Sequence, residues 1–128
     1  MIITNPQGNP SSLTSDQAAL VADIFSALAD PTRARIVFAL THGEFSVNML
    51  ASMADVSPSA VSHHLARLRS SRLVRARRAA NQVFYTIDDA HVSRLFYEAI
   101  HHLDHVRQNI PGPEAVFPLD ITVPATDL

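Results

Sequence analysis

Along most of the chain, apolar residues return at helical spacing. Ala19, Leu20, Ala22, Ile24, Phe25 and Leu28 follow the three-and-four rhythm of one helix face and predict a first helix over residues 15–29. Asp30-Pro31 gives a side-chain cap followed by proline at the first helical position. It predicts a second helix to about residue 40 that buries Ile36, Val37 and Leu40 before His42-Gly43 ends it. Ser46 caps a short third helix over 47–54, with Leu50 and Met53 turned inward. Ser57-Pro58 repeats the cap-then-proline signal and opens a fourth helix to about residue 70, whose inward residues Val61, Leu65 and Leu68 are spaced by four and three.

Residues 73–77 and 83–87 then read as two strands. Residues 78–82 turn between them, and Asn81 is the residue best able to take a left-handed conformation there. A last helix begins near Asp89 and runs to about Gln108, with Val92, Leu95, Phe96, Ala99, Ile100 and Leu103 as its apolar stripe. The expected fold is mainly α with a small β-hairpin: a winged helix-turn-helix whose terminal helices are free to pair in a homodimer. Residues 1–14 read as a flexible N-terminal arm, 15–108 as the DNA-binding and dimerisation domain, and 109–128 as a proline-rich tail.

Charge sharpens this reading. The net charge is only −2, yet no acidic residue lies between Asp55 and Asp88. That stretch holds Arg67, Arg69, Arg72, Arg75, Arg77 and Arg78, six of the 10 basic residues, and the chain has no lysine. A phosphate backbone meets this local field rather than the total. In the fourth helix Ser57, Ser59, Ser62, His63 and Arg67 are candidates to contact double-stranded operator DNA, and in the hairpin Arg75, Arg77 and Arg78 are candidates for phosphate or minor-groove contact. The chain has no cysteine, which removes disulfides, thiolate metal sites and cysteine nucleophiles. It has no apolar run long enough to cross a membrane and no signal-like start, so a cytoplasmic protein without a membrane partner is expected.

The last helix carries four candidate metal ligands in two pairs, Asp89 with His91 and His102 with His105. His91 precedes His102 by eleven residues and His105 by fourteen, which on a helix is about 16–20 Å along the axis. Metal–nitrogen and metal–oxygen bonds are only about 2 Å long, so the pairs cannot close on one ion within a single straight helix. They close if the same helix of a second copy lies antiparallel alongside, and a two-fold axis then makes two equivalent sites. Three imidazoles and one carboxylate resemble a closed site rather than one with an open water position. No general base accompanies them, so an enzyme is not expected.

Leu28-Ala29-Asp30-Pro31-Thr32-Arg33, Ser59-Ala60-Val61-Ser62-His63-His64-Leu65 and the pattern Asp-x-His, ten residues, His-x-x-His together resemble the arsenic-repressor-type (ArsR/SmtB) family of metal-sensing repressors. The likeness covers roughly residues 17–106. The third motif resembles the interhelical zinc, cobalt or nickel site of one subgroup, and implies Asp89 and His91 from one protomer with His102 and His105 from the other. It also implies that the second ring nitrogen of His102 bonds the His63 carbonyl, joining sensor to reader as an allosteric link. Where some members carry a cysteine pair, this chain has Ser46, Val47 and Asn48, so that second site is absent. No histidine precedes Asp16 or follows His105 to raise the coordination number, and a four-coordinate N₃O set favours Zn2+, with Co2+ or Ni2+ as alternatives. The implied function is a repressor released from DNA by metal. The alternative is a repressor of the same fold that answers a non-metal ligand.

Overall fold

The computed structural model describes residues 11–109. The arm up to residue 10 and the tail from residue 110 lie outside the described residues. The order of elements is α1 (Ser15–Leu28), α2 (Pro31–Leu40), β1 (Phe45–Ser46), α3 (Val47–Ala54), α4 (Pro58–Ser70), β2 (Val74–Ala79), β3 (Gln82–Ile87) and α5 (Ala90–Asn109). This is a mainly helical winged helix-turn-helix: α3 and α4 form the helix-turn-helix, and β2 and β3 the wing. Among the described residues no helix is long and apolar enough to cross a membrane.

Every helix starts on a side-chain acceptor. Thr14 and Gln17 form a reciprocal capping box on α1. Asp30 accepts from Arg33 N at 3.0 Å, Ser46 from Met49 N at 3.3 Å and Ser57 from Ala60 N at 3.1 Å. Asp89 Oδ1 accepts from His91 N at 2.9 Å and Val92 N at 3.2 Å, so this candidate metal ligand also opens α5. The helix ends are less conventional. Asp55 and Arg72, which follow α3 and α4, have φ of 56° and 57° without being glycine. In each case the next residue closes a 6→1 hydrogen bond, Val56 N to Ala51 O at 3.2 Å and Leu73 N to Leu68 O at 3.0 Å, which offsets the cost of the left-handed residue.

Val61, Leu65 and Leu68 are at most 1 % exposed and pack with Ile36, Val37 and Leu50. On α3 the buried stripe is Leu50, Ala51 and Ala54. Met53, expected inward, is instead 56 % exposed and shares an outer flank with Met49. The stripe is centred on small alanines that let α3 approach α2 and α4 closely, which rotates Met53 outward by about 100° per residue from Ala54. Only the last turn of α1 reaches the core, through Ala27 with Ile24 and Leu28 against it, while Leu20 and Phe25 remain exposed.

The sheet has three antiparallel strands in the order β1-β3-β2. The two-residue β1 was not expected; it pairs Phe45 with Tyr85 and Ser46 with Phe84, and so ties the start of α3 to the wing. The hairpin is also tighter than expected. Ala79 pairs with Gln82, so the turn is Ala80-Asn81, and Ala80, not Asn81, takes the positive φ of 55°. Positive φ at the first turn position alone is the pattern of a type II′ turn, whose twist suits a two-residue hairpin.

Because Leu65 is in the core and on α4 at once, Leu65→Ala is expected to lower the unfolding free energy by about 2–5 kcal/mol in urea titration. A change below about 1 kcal/mol would place α4 outside the cooperative core.

Candidate functional site

The outer face of α4 is the exposed side of a helix whose inner side is fixed by Val61, Leu65 and Leu68. Ser59, Ser62 and His63 fall on it at i, i+3, i+4 spacing and are all exposed. Ser57 is exposed at the helix start, and its oxygen accepts the capping N–H, which leaves its hydroxyl proton free to donate outward.

Arg67 points elsewhere. Its Nη2 donates to Asp23 Oδ1 of α1 at 3.1 Å and its Nη1 to Ser71 Oγ at 2.6 Å, while Ser71 Oγ donates to Asp23 Oδ2 at 2.6 Å. Arg67, a candidate to read bases, here bridges α4 and α1. A second clamp lies one turn earlier. Arg33 Nε donates to Ala27 O at 2.6 Å, and its Nη1 lies 3.4 Å from His64 Nδ1. His64 Nδ1 also lies 3.8 Å from Asp30 Oδ2. Arg33 is therefore structural, and sequence reasoning missed the roles of Asp23 and Ser71.

On the wing, Arg75, Arg77 and Arg78 are all exposed. Arg75 and Arg77 share one face of β2 and Arg78 takes the other. Arg77 is held by Glu44 along one edge of its guanidinium, Nε to Oε2 at 2.9 Å and Nη2 to Oε1 at 2.7 Å, with its guanidinium 5.5 Å from the centre of the Phe84 ring.

Three carboxylates sit below their ordinary pKa for identifiable reasons. Asp23 is lowered mainly by the Ser71 hydroxyl and then by Arg67, and Asp30 mainly by the Arg33 backbone N–H. Glu44 is lowered mainly by the hydrogen bonds from Arg77, and Arg77 is raised by the same contact.

The two ligand pairs on α5 are each assembled. His91 Nδ1 is 3.5 Å from Asp89 Oδ1, and the His102 and His105 rings are 6.4 Å apart, tilted by 30°. His101, just off this face, is 3.6 Å from Glu98. Within one chain the pairs stay separate, and among the described residues no three such side chains converge on one point. Nitrogen and oxygen donors without sulfur fit zinc, divided between two places along α5. Among the described residues no hydrogen bond from His102 reaches His63, so the implied link is not made within this chain.

A family model described as "Bacterial regulatory protein, arsR family" matches residues 30–76. The chain is 47% identical over 97 residues to a transcriptional repressor SmtB homolog of Synechocystis, covering 76% of this chain and 74% of that one. It is 40% identical over 102 residues to the HTH-type transcriptional regulator KmtR of Mycobacterium tuberculosis, covering 80% and 78%. Among solved structures, a homodimeric winged helix-turn-helix DNA-binding domain from Mycobacterium bovis superposes with a TM-score of 0.70 at 28% identity, covering 80% of this chain and 98% of that one.

A carboxylate with a depressed folded pKa stabilises the fold above its unfolded pKa, and that contribution is lost as pH falls through the folded value. Asp23, Asp30 and Glu44 should therefore make the melting temperature fall as pH drops from about 5 to below the ordinary carboxylate range. The triple variant Asp23→Asn/Asp30→Asn/Glu44→Gln should show a shallower fall in thermal melts. An equal slope would mean that these contacts do not act on the carboxylates.

Proposed function

This chain belongs to the arsR family of bacterial regulatory proteins, and from that premise we propose that it is a homodimeric, zinc-responsive transcriptional repressor. It is a regulator, not an enzyme. One observation carries the metal reading: two pairs of potential ligands lie at separate places on one helix, too far apart to close on one ion within a chain. Asp89 and His91 of one copy with His102 and His105 of another make a complete N₃O set. Bound there, zinc supplies a fixed cross-link between the two α5 helices. The name of the Synechocystis relative supports the repressor reading, and the homodimeric Mycobacterium bovis domain supports pairing and DNA binding.

The apolar surface supports a second copy. Leu20 is 67 % and Phe25 54 % exposed on α1. An apolar groove of about 540 Å³ lies between α2, α3 and α5, lined by Ala39, Leu50, Met53, Phe96, Ile100 and Leu103 among others. Exposed apolar side chains and an open apolar groove are what an interface with a second copy would cover.

The reader is Ser57, Ser59, Ser62 and His63 on α4, with Arg75 and Arg78 on the wing. Arg67 positions α4 from behind. A route from sensor to reader runs through the chain's own backbone. Asp89 opens α5, its neighbour Asp88 donates to Leu73 O at 3.0 Å, and Leu73 N donates to Leu68 O in the last turn of α4. Any reorientation of the first turn of α5 therefore acts on the end of the recognition helix. The His102–His63 contact would be a second route. By linkage, metal that weakens DNA binding is weakened by DNA to the same factor, typically about 5–150-fold.

Two outcomes are expected. In fluorescence anisotropy at fixed salt, His102→Ala should keep the DNA affinity of the metal-free protein and lose zinc-induced release, whereas full release in this variant would refute the site. Leu20→Glu/Phe25→Glu should sediment as a monomer at concentrations where the unaltered chain is a dimer; an intact dimer would exclude these two residues of α1 from the interface.

A further inference from the structure

Glu44 lies just before β1, outside the helix-turn-helix and the hairpin, and the proposed function does not use it. Its carboxylate nevertheless takes the Nε/Nη2 edge of the Arg77 guanidinium in a two-point contact, Nε at 2.9 Å and Nη2 at 2.7 Å. That forked geometry is the one an arginine offers to a phosphate. Phe84, paired with Arg77 across β3, lies under the guanidinium and helps fix its plane. Arg75, on the same face of β2, also lies within the field of Glu44. By contrast, Arg78 has no ion pair among the described residues and projects from the other face of the strand. One carboxylate therefore faces two of the three wing arginines.

We infer that Glu44 is the wing's built-in counter-charge, a residue that limits indiscriminate DNA binding by holding Arg77 away from phosphate. Exposed ion pairs add little to stability, and Glu44 and Arg77 are both substantially exposed. The contact matters instead through charge counting. Each arginine engaged with a phosphate steepens the salt dependence of binding by about 0.9 in the slope of log affinity against log salt. With Arg77 occupied, the wing engages phosphate through fewer cations than its sequence contains. The selective advantage is a wider gap between a matched site, where α4 contributes, and bulk DNA, where only phosphate contacts act. This inference rests on the reading that the wing meets DNA.

The test is anisotropy of the full-length protein on a random-sequence duplex over a salt series. Glu44→Gln should bind more tightly at low salt, with a slope steeper by about 0.9. In the Arg77→Ala background the same change should leave the slope where Arg77→Ala put it, since no guanidinium remains to be released. An unchanged slope in Glu44→Gln would overturn the inference. So would an equal increase with and without Arg77, which would reduce Glu44 to a general field effect. Far-ultraviolet circular dichroism melts establish that each variant is folded. Failure of the unaltered protein to bind any duplex even at low salt would remove the DNA reading itself, and this inference with it.

Discussion

A rigid rod cannot bring its two ends together. An α-helix rises about 1.5 Å per residue, and α5 carries one acid–imidazole pair at its start and an imidazole pair eleven residues further on. The rod is anchored at its N-terminal end: Asp89 caps it, and Val92, Tyr97 and Ile100 are buried against the body. The members of each pair lie near one another, and the two pairs are too far apart to meet within one chain. Dimerisation is thus a condition for the proposed site to exist as well as a common habit of this fold, and a signal read there acts on the relation between two DNA-reading units.

The reading unit is built to receive such a signal. Its recognition helix is fixed on its inner side by Val61, Leu65 and Leu68, and from behind by two polar clamps reaching α1 and the α1–α2 corner. Its end turns through a left-handed Arg72 into Leu73, whose carbonyl takes the N–H just before the sensor helix. On α1, Leu20 and Phe25 are exposed, Leu20 one turn before the clamp residue Asp23. The end of α4 and the start of α5 are therefore joined through Leu68 and Leu73, and under the proposed function a rotation of one helix would be passed to the other there.

Much of this is legible in the sequence because it is local. The cap-then-proline pairs Asp30-Pro31 and Ser57-Pro58 begin helices where expected, and the four-and-three spacing of Val61, Leu65 and Leu68 identifies the buried side of α4. What escaped was non-local or lacked its usual marker. Arg67 and Arg77 look alike in sequence, yet each is tied to a carboxylate 44 or 33 residues away, and no spacing rule signals that. The helix stops at Asp55 and Arg72 and the turn at Ala80 use no glycine, so the left-handed positions were hidden. The strand β1 is two residues long and leaves no periodicity to detect. Met53 was placed inward because it is apolar, whereas the smaller Ala51 and Ala54 form the contact. The two pairs of candidate ligands were legible as spacing, and the structure adds that the partners within each pair lie near one another.

The central claim, that the metal site is shared between copies, is tested most directly by complementation. One variant lacks the first pair (Asp89→Ala/His91→Ala) and another lacks the second (His102→Ala/His105→Ala). Zinc binding is measured by equilibrium dialysis for each alone and after the two are unfolded together and refolded. Neither variant alone should bind zinc tightly, and the mixture should recover one tight ion per mixed dimer, because one of its two sites is then whole. Tight binding by either variant alone, or none in a mixture shown to contain mixed dimers, would contradict a site assembled from two chains.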